Sequence, residues 1–355
     1  MNPRFWAGRR VFVTGHTGFQ GAWLLQWLRR LDARICGYAL PPPTTPSLYG
    51  LARAGHGVQT VEGDVRDLPH LQRTLDAFAP EVVLHLAAQS AVPEAYREPV
   101  DTFSSNVMGT VHVLEAARRH GRPLALVNAS SHRVYRHDGR VQPYREGDEI
   151  GGRDPHAASK ACAELVASSY ALSWLDGEGR VALANARSGP VVGGGDWSPH
   201  RPLPAMLAAA LAGRPPPLHD PQARHPWVHV LDVLDGCLGL AEALAVPRGG
   251  AGGDWNFGAA AGTAVTQAQA AERLARHFGL APAWVPAPGA SLHEDPPLEL
   301  DSRKAERSLG WRCRLTPTEA VDWTAQWHRA CARGVPAADA CRMQIDAYMA
   351  RSAAG

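Results

Sequence analysis

The stretch Val11-Phe12-Val13-Thr14-Gly15-His16-Thr17-Gly18-Phe19-Gln20-Gly21 decides the fold of this chain. It opens with a short apolar run rich in β-branched residues, which is typical of a buried strand. Its three glycines have the spacing GxxGxxG, and apolar residues at helical spacing follow them. A strand, a glycine turn and a helix N-terminus in this order can hold a pyrophosphate. We therefore expect a dinucleotide cofactor to bind at Gly15, His16, Thr17, Gly18, Phe19 and Gly21.

The first half of the chain alternates strand-like and helix-like stretches. The strand-like stretches are residues 10–14, 33–40, 58–61, 81–86, 124–128 and 181–184, and the helix-like ones are 20–31, 68–78, 101–120 and 155–174. Alternation of this kind predicts an α/β fold, a Rossmann-type doubly wound parallel sheet with helices on both faces and right-handed crossovers.

This alternation of strands and helices ends after about residue 188. Loops such as 193–197 and 214–217 there separate helix-like stretches at 203–212, 231–245 and 267–278. The shift predicts an NAD(P)-binding domain at residues 1–187 and a smaller, irregular C-terminal domain at residues 188–355. We expect the two to be interleaved, with some strands of the second returning to the sheet.

The composition argues against several classes of protein. The 355 residues include 36 Lys and Arg against 34 Asp and Glu, a net charge of +2, which disfavours a nucleic-acid or polybasic membrane-surface partner. No apolar run approaches the roughly 18 residues of a membrane span, and no secretory signal is visible. The six cysteines lack CxxC spacing and the sixteen histidines form no ligand pattern, so neither a metal site nor a disulfide framework is predicted. We expect a cytoplasmic protein with reduced thiols.

The cofactor's ribose lacks its usual partner. An acidic residue should end the second strand, but the sequence there is Tyr38-Ala39-Leu40-Pro41, without an arginine for a 2′-phosphate. The choice between NAD and NADP is therefore open. Asp64 and Val65 follow the third strand, where Asp64 either lies beside the adenine or caps the next helix.

Further motifs cover nearly the whole chain. They are Phe5-Trp6, Gly37-Tyr38-Ala39-Leu40, His85-Leu86-Ala87-Ala88-Gln89, Asn106-Val107-Met108-Gly109-Thr110-Val111-His112, Ser159-Lys160-Ala161-Cys162-Ala163-Glu164, Gly193-Gly194-Gly195-Asp196-Trp197, Trp255-Asn256-Phe257-Gly258, Leu300-Asp301 and Leu309-Gly310-Trp311. With them the chain resembles the extended short-chain dehydrogenases/reductases that act on nucleotide sugars, and CDP-glucose 4,6-dehydratases most closely. The resemblance implies a bound NAD and a nucleoside-diphosphate sugar, with a CDP-hexose favoured, held by the C-terminal domain. It also implies a homodimer built on the helices near residues 101–120 and 155–174.

The same resemblance implies roles for individual residues. Cofactor contacts beyond the glycine turn are expected from Asp64, Val65, Leu86, Ala87, Ala88, Gln89, Asn106 and Lys160. Substrate contacts are expected from Ser131, Arg133, Arg187, Trp197, Arg201, His229 and Arg303. Catalytic roles are expected for Ser131, His132, His156 and Lys160.

The sequence departs from the family pattern at the positions that carry out the reaction. In the family a tyrosine, helped by a lysine four residues later, takes the proton of the sugar 4-hydroxyl while C4 gives hydride to NAD. An acid/base pair then removes the C5 proton and the C6 hydroxyl, and the hydride returns to C6. Here His156 stands in the tyrosine position with Lys160 kept, and Ser130-Ser131-His132-Arg133 replaces Thr-Ser-Asp-Lys.

These departures leave two interpretations open. In the first, the chain is an enzyme of dehydratase ancestry that dehydrates, epimerises, or oxidises and reduces a sugar nucleotide. Neutral imidazoles of His156 and His132 then move protons, because a guanidinium such as that of Arg133 cannot. In the second, the chain binds NAD and a sugar nucleotide without chemistry, and His156 only fills the tyrosine position.

Overall fold

The computed structural model describes residues 2–175, 180–246, 250–288 and 297–353. Its strands are β1 (Arg10–Thr14), β2 (Arg34–Ala39), β3 (Gln59–Glu62), β4 (Val82–His85), β5 (Leu124–Ser131), β6 (Val181–Ser188), β7 (Val191–Val192), β8 (Pro217–Leu218), β9 (Arg224–His225), β10 (Val228–His229), β11 (Gly253–Phe257), β12 (Val265–Thr266) and β13 (Val285–Pro286). Its α-helices are α1 (Pro3–Trp6), α2 (Phe19–Arg30), α3 (Leu48–Leu51), α4 (Leu68–Phe78), α5 (Val92–Arg97), α6 (Pro99–Phe103), α7 (Gly109–His120), α8 (Pro155–Tyr170), α9 (Pro202–Leu211), α10 (Val230–Leu244), α11 (Gln267–Phe278), α12 (Arg303–Leu309), α13 (Pro317–Ala332) and α14 (Ala337–Ala353).

Seven parallel strands form the main sheet in the order β11-β6-β5-β4-β1-β2-β3. The predicted Rossmann-type parallel sheet is confirmed. The seventh strand, β11, comes from the C-terminal portion of the chain and pairs with β6. Because the strands are parallel, the carboxyl ends of β1, β4 and β5 meet at one edge, where such folds bind ligands.

The apolar run of β1 is continuous because both faces of the sheet are covered. Val11 and Val13 pack into a core that includes Trp27 from α2. Phe12 points to the opposite face and packs into a second core that includes Leu114 from α7. Among the described residues, none of the helices combines the length and the apolar composition that a membrane span needs.

Two predicted strands are longer than the sequence indicated. β5 and β6 continue past residues 128 and 184 because they stay paired to the register of Ser131 opposite Ser188. Pairing with the neighbouring strand satisfies the backbone groups of the residues at these ends. Ser131 is therefore the last residue of β5.

The helix predicted over residues 101–120 is divided. A π-helical turn, Ser104–Met108, joins α6 to α7, and a second one, Ala171–Leu175, follows α8. Such turns are common at functional sites. The first carries Asn106, whose side chain contributes to the site described next.

Candidate active site

The glycine turn lies tightly against the segment that follows β4. Gly15 has a φ of +71°, and a Cβ atom there would lie 2.6 Å from the backbone nitrogen of Ala87. A Cβ atom at Gly21 would lie 2.3 Å from the carbonyl oxygen of Gly15. Gly18 is the N-cap of α2 and brings no capping side chain to it. The turn therefore leaves the α2 N-terminus open to an anion such as a pyrophosphate.

His16 supports this turn from the inside. Its ring is fully buried beside Tyr49, and a Cβ atom on Gly37 would lie 2.4 Å from the imidazole. Burial lowers the pKa of His16 to about 4, so the imidazole is neutral at pH 7. The side chain of His16 is thus turned into the protein, and the expected cofactor contact falls to its backbone. Thr17 is also tied inward, because its hydroxyl donates to the carbonyl of Leu40 at 2.8 Å.

Asp64 does not cap the helix after the third strand. Its carboxylate accepts from the backbone and the guanidinium of Arg66, which lowers its pKa, while Asp67 caps α4. The capping alternative is therefore wrong, because the helix begins three residues later than that alternative required. Contact of Asp64 and Val65 with an adenine stays a prediction.

Hydrogen bonds join the segment after β4 to two helices. The backbone N–H of Gln89 donates to Asn106 Oδ1 at 2.8 Å, and Asn106 Nδ2 donates to the Gln89 carbonyl and to Ser159 Oγ. Ser159 in turn donates to the carbonyl of His156 at 2.7 Å. Gln89, Asn106 and Ser159 therefore fix the first turn of α8 relative to the sheet edge.

His156 and Lys160 lie one helical turn apart on α8, and each contacts a backbone carbonyl. Lys160 is nearly fully buried and donates from Nζ to the carbonyl of Ala129 at 2.6 Å. Burial lowers its pKa to about 8, against the opposing effect of Glu164. His156 Nδ1 lies 3.2 Å from the carbonyl of Gln89. A carbonyl only accepts, so Nδ1 carries the proton and Nε2 is left as an acceptor with no partner among the described residues.

The charge state of His156 follows from its surroundings. Burial first, and then the charge of Lys160, lower its pKa to about 4, although Asp154 acts in the opposite direction. The imidazole is therefore neutral at pH 7 and able to accept a proton at Nε2.

The carboxyl end of β5 supplies a second neutral imidazole. His132 Nδ1 lies 3.1 Å from the carbonyl of Ser188, so its Nε2 is likewise an acceptor. Burial and the neighbouring Arg133 lower its pKa to about 3, and His156 also acts on it. Beside it, Ser131 Oγ accepts the backbone N–H of Arg133 at 3.2 Å. The structure thus brings Ser131, His132, His156 and Lys160 to one edge of the sheet.

Arg187 is not available to a substrate, contrary to expectation. It is almost fully buried, and its guanidinium donates to the carboxylates of Glu164 and Asp254, the hydroxyl of Tyr135 and the carbonyl of Glu146. These bonds occupy all five of its N–H groups. Arg187 therefore holds β6 against α8 and β11 and has no N–H group left over for a ligand.

His229, which was expected to contact the substrate, is also enclosed by the protein. Its ring is fully buried between Trp23 and Trp323, with centroids 6.3 and 5.7 Å away. Its Nδ1 accepts the backbone N–H of Leu231 and so caps α10. Packing of α2 and α13 over this strand end closes the position to a ligand.

The remaining expected substrate residues lie on the C-terminal portion. Trp197 is half-buried beside His328, and its buried Nε1 has no partner among the described residues. Arg201 Nη1 lies 3.4 Å from Asp196 Oδ2. The charge of Arg201 also helps to lower the pKa of His132. Arg303 is largely exposed and pairs with Asp301. Substrate contact by these residues stays a prediction.

Two further residues build the site, and the sequence offered a signal for each. Asp154 is the N-cap of α8 and binds Arg133 Nη2 at 2.7 Å, and its position before Pro155 is a recognisable helix start. Glu164 lies one turn after Lys160 and accepts a hydrogen bond from Ser130 Oγ. Over the described ranges no cluster of His, Cys, Asp and Glu could hold a metal ion.

Comparison with known proteins assigns this chain to a family. The sequence pattern of the NAD dependent epimerase/dehydratase family matches residues 11–258. The chain belongs to that family. The match covers the glycine turn, α8 and the end of β5, and it confirms the resemblance seen in the sequence.

Individual relatives are similar to this chain over almost its whole length. It is 38% identical to CDP-glucose 4,6-dehydratase from Salmonella typhimurium over 98% of both chains. Among solved structures, MoeE5 in complex with UDP-glucuronic acid and NAD is 26% identical, with a TM-score of 0.75 over 91% of this chain and 99% of that one. DesIV, a dTDP-glucose 4,6-dehydratase from Streptomyces venezuelae with NAD and TYD bound, is 25% identical, with a TM-score of 0.75 over 90% and 97%.

Proposed function

We propose that this chain is a nucleotide-sugar-modifying enzyme that oxidises a nucleoside-diphosphate hexose transiently with a bound NAD. The observation that carries the proposal is the neutral imidazole of His156, which has an unpartnered Nε2 and lies one helical turn before Lys160. A CDP-hexose is favoured because the full-length relative at 38% identity is a CDP-glucose 4,6-dehydratase.

The glycine turn fits NAD. Gly15 and Gly21 leave no room for a side chain between the turn, the segment after β4 and α2. This close approach is what a pyrophosphate at a helix N-terminus requires. Lys160 is the residue expected to hold the nicotinamide ribose. NAD supplies hydride transfer when bound and is regenerated in each turnover.

The chain's own side chains hold the reacting hydroxyl, move its proton and stabilise the charge that develops. Ser131 holds the reacting hydroxyl by a hydrogen bond, and Nε2 of His156 accepts its proton. Lys160, mostly protonated at pH 7, stabilises the negative charge that develops on the oxygen. His132 is placed to move a second proton.

The substrate is expected to lie between this sheet edge and the segment after residue 188. Trp197 and Arg201 belong to that segment. Arg201 is the better candidate for the diphosphate, because its positive charge is close enough to lower the pKa of His132. Arg303 is the second candidate.

Turnover of sugar nucleotides tests the proposed function. NAD-loaded protein incubated with CDP-, dTDP-, GDP- and UDP-glucose should convert at least one of them, either with loss of water or to an isomer of equal mass. Mass spectrometry and NMR detect the two products, and the NADH absorbance band should rise transiently. No conversion of any sugar nucleotide and no NADH band would contradict an enzymatic role.

A second candidate function is a binding protein without chemistry. It is favoured by the low pKa of His156, about 4, because such an imidazole is a weak base. Binding of NAD and a sugar nucleotide with no reduced cofactor and no product would support it.

We infer that two copies of the chain associate through α7 and α8. These helices pack against each other, and Leu165 on α8 is 60% exposed. Leu172, in the π-helical turn that follows α8, is 78% exposed. Met108, in the π turn before α7, is also exposed. Apolar residues grouped on neighbouring helices are typical of a protein interface.

Negative charge introduced by substitution on this surface should separate the two copies. The double variant Leu165→Glu/Leu172→Glu places two carboxylates in the interface, so light scattering should give half the mass of the wild-type protein. Leu51→Glu, at an exposed position on α3, is the control and should keep the wild-type mass. A wild-type protein that is already monomeric would contradict the inference.

A further inference from the structure

Lysine is rare in this chain, and both of its lysines lie inside the protein. Of the 36 Lys and Arg residues, only Lys160 and Lys304 are lysines. Lys160 is almost fully buried, and Lys304 is half-buried with its ammonium 4.1 Å from the ring centroid of Trp255. A buried ammonium loses its hydration and needs an opposite charge nearby to stay protonated. The groups around Lys160 therefore decide its charge.

Glu164 lies beside Lys160 between α8 and β5. The two residues are one helical turn apart, so they share one face of α8. Lys160 Nζ donates to the carbonyl of Ala129 at 2.6 Å, and the carboxylate of Glu164 accepts from the hydroxyl of Ser130, the next residue of β5. Only 2% of the Glu164 side chain is exposed, so water hardly screens its charge from Lys160.

The other titratable groups that face Lys160 carry no charge. His156 lies one turn earlier on α8, and His85 ends β4. Burial and the charge of Lys160 lower the pKa of His156 to about 4 and that of His85 to about 3. Both imidazoles are therefore neutral at pH 7. Among the described residues, Glu164 is the one carboxylate that opposes the effect of burial on Lys160.

The charge of Glu164 is held in turn by a row of buried groups. Arg187 Nη2 lies 2.6 Å from a carboxylate oxygen of Glu164 and 2.7 Å from one of Asp254. Burial raises the pKa of Glu164, whereas the bonds from Arg187 favour its ionised form. Lys304 Nζ donates to the carbonyl of Asp254 at 2.6 Å. The two lysines thus lie at the two ends of one row of alternating charges.

We propose that Glu164 is a positioning residue that keeps Lys160 in its charged form. Without this carboxylate, an ammonium buried among neutral imidazoles would lose its proton more readily. A neutral lysine could not stabilise the negative charge that develops on a substrate oxygen. The inference rests on the proposed function, in which a charged Lys160 does so.

NMR titration of the two lysines measures the effect of Glu164 directly. NAD-loaded protein labelled at the lysine Cε atoms gives two signals, and Lys304→Arg assigns them. The wild-type pKa of Lys160 is expected at about 8, because burial lowers it. Glu164→Gln should lower this pKa further by at least about one pH unit, the low end for a neighbouring opposite charge.

Asp254→Asn is the matched control, because it removes the other carboxylate that binds Arg187. The charge of Asp254 acts on Lys304, so this variant should lower the pKa of Lys304 and leave that of Lys160 unchanged. Glu164→Gln should do the reverse. A loosened fold would instead move both lysines towards their ordinary pKa of about 10.4. The two signals therefore separate a charge effect from a structural one.

A double variant keeps the test available if Glu164→Gln does not fold. Arg187→Met/Glu164→Gln removes both members of the buried ion pair, so it leaves neither without its partner. The pKa of Lys160 should still fall, because the charge of Glu164 acts on it directly. A folded double variant in which Lys160 titrates as in the wild type would overturn the inference.

The outcomes separate this inference from the proposed function. If Lys160 has the same pKa with and without Glu164, the inference is wrong and the proposed function stands. If the pKa falls and a sugar nucleotide is converted, the alkaline limit of the rate should fall by the same amount in Glu164→Gln. If the pKa falls but even the wild type converts no sugar nucleotide, Glu164 still holds the charge of Lys160 and the proposed function fails.

Discussion

Replacing Arg187 with methionine should lower the free energy of unfolding by about 3–5 kcal/mol. Arg187 and Glu164 each have only 2% of their side chains exposed, and Arg187 Nη2 lies 2.6 Å from Glu164 Oε2. The variant would leave the carboxylate of Glu164 buried without a cation, with Asp254 close by. Burial already raises the pKa of Glu164, and loss of Arg187 would raise it further. Urea unfolding followed by circular dichroism measures the effect.

A double variant shows whether the unpaired charge is the cause. Arg187→Met/Glu164→Gln removes both charges, so it should regain much of the stability that the single variant loses. Arg136→Met removes an exposed ion pair with Glu149 and should change stability by less than about 1 kcal/mol. Equal losses in the single and double variants would show that packing, not charge, makes Arg187 important.

This buried pair connects stability to the site. Glu164 accepts from Ser130, at the end of β5, and lies one helical turn after Lys160 on α8. Arg187 lies on β6, so the pair ties together two strands and the helix that carries His156. Disturbing it should move the residues that face the substrate as well as weaken the fold.

The sequence predicted the central sheet well because its signals are local. The run Val11–Val13 has partners on both faces, and Gly15 and Gly21 lie where a Cβ atom would clash with the backbone. The three C-terminal helices α12, α13 and α14 were not predicted. For α13 a signal existed, since Thr316 and Glu319 form a capping box at its start.

The site was harder to predict because motif position does not reveal burial. Arg187 and His229 stand in segments that match the family, yet strand pairing and tryptophan packing enclose both. His156 and Lys160 were placed together because residues four apart share a helix face. The contact of His156 with Gln89 could not be read from the sequence, because it joins segments 67 residues apart.

Acid sensitivity of the fold limits how the chemistry can be measured. Burial lowers the pKa of several histidines to about 3 or 4, and these include His16, His85, His132, His156, His225, His229 and His328. Their ordinary pKa is about 6.5, so below that pH the unfolded chain binds more protons than the folded one. Each group then costs up to about 1.4 kcal/mol of stability per pH unit. Rates must therefore be compared where circular dichroism shows a folded protein.

Replacing His156 with alanine should lower the turnover rate by at least about 100-fold, the low end for loss of a general base. Nε2 of His156 is the acceptor left free by the bond from Nδ1 to Gln89. Because the pKa is lowered to about 4, wild-type activity should persist into mildly acidic pH and fall only when the imidazole is protonated or the protein unfolds. Stopped-flow measurement of NADH formation on the substrate found by screening gives the rate.

Tyrosine at the same position separates a working base from a space-filling ring. His156→Tyr restores the base of the family, whose ordinary pKa of about 10 lies far above that of the buried imidazole. Lys160 would lower the phenol pKa, but activity should still fall at a higher pH than in the wild type. His56→Ala, at an exposed position between α3 and β3, is the control and should keep the full rate. Full activity in His156→Ala would mean that the proton leaves through His132 or through a water held by Ser131. His132→Ala should then lower the rate in the first case and keep it in the second.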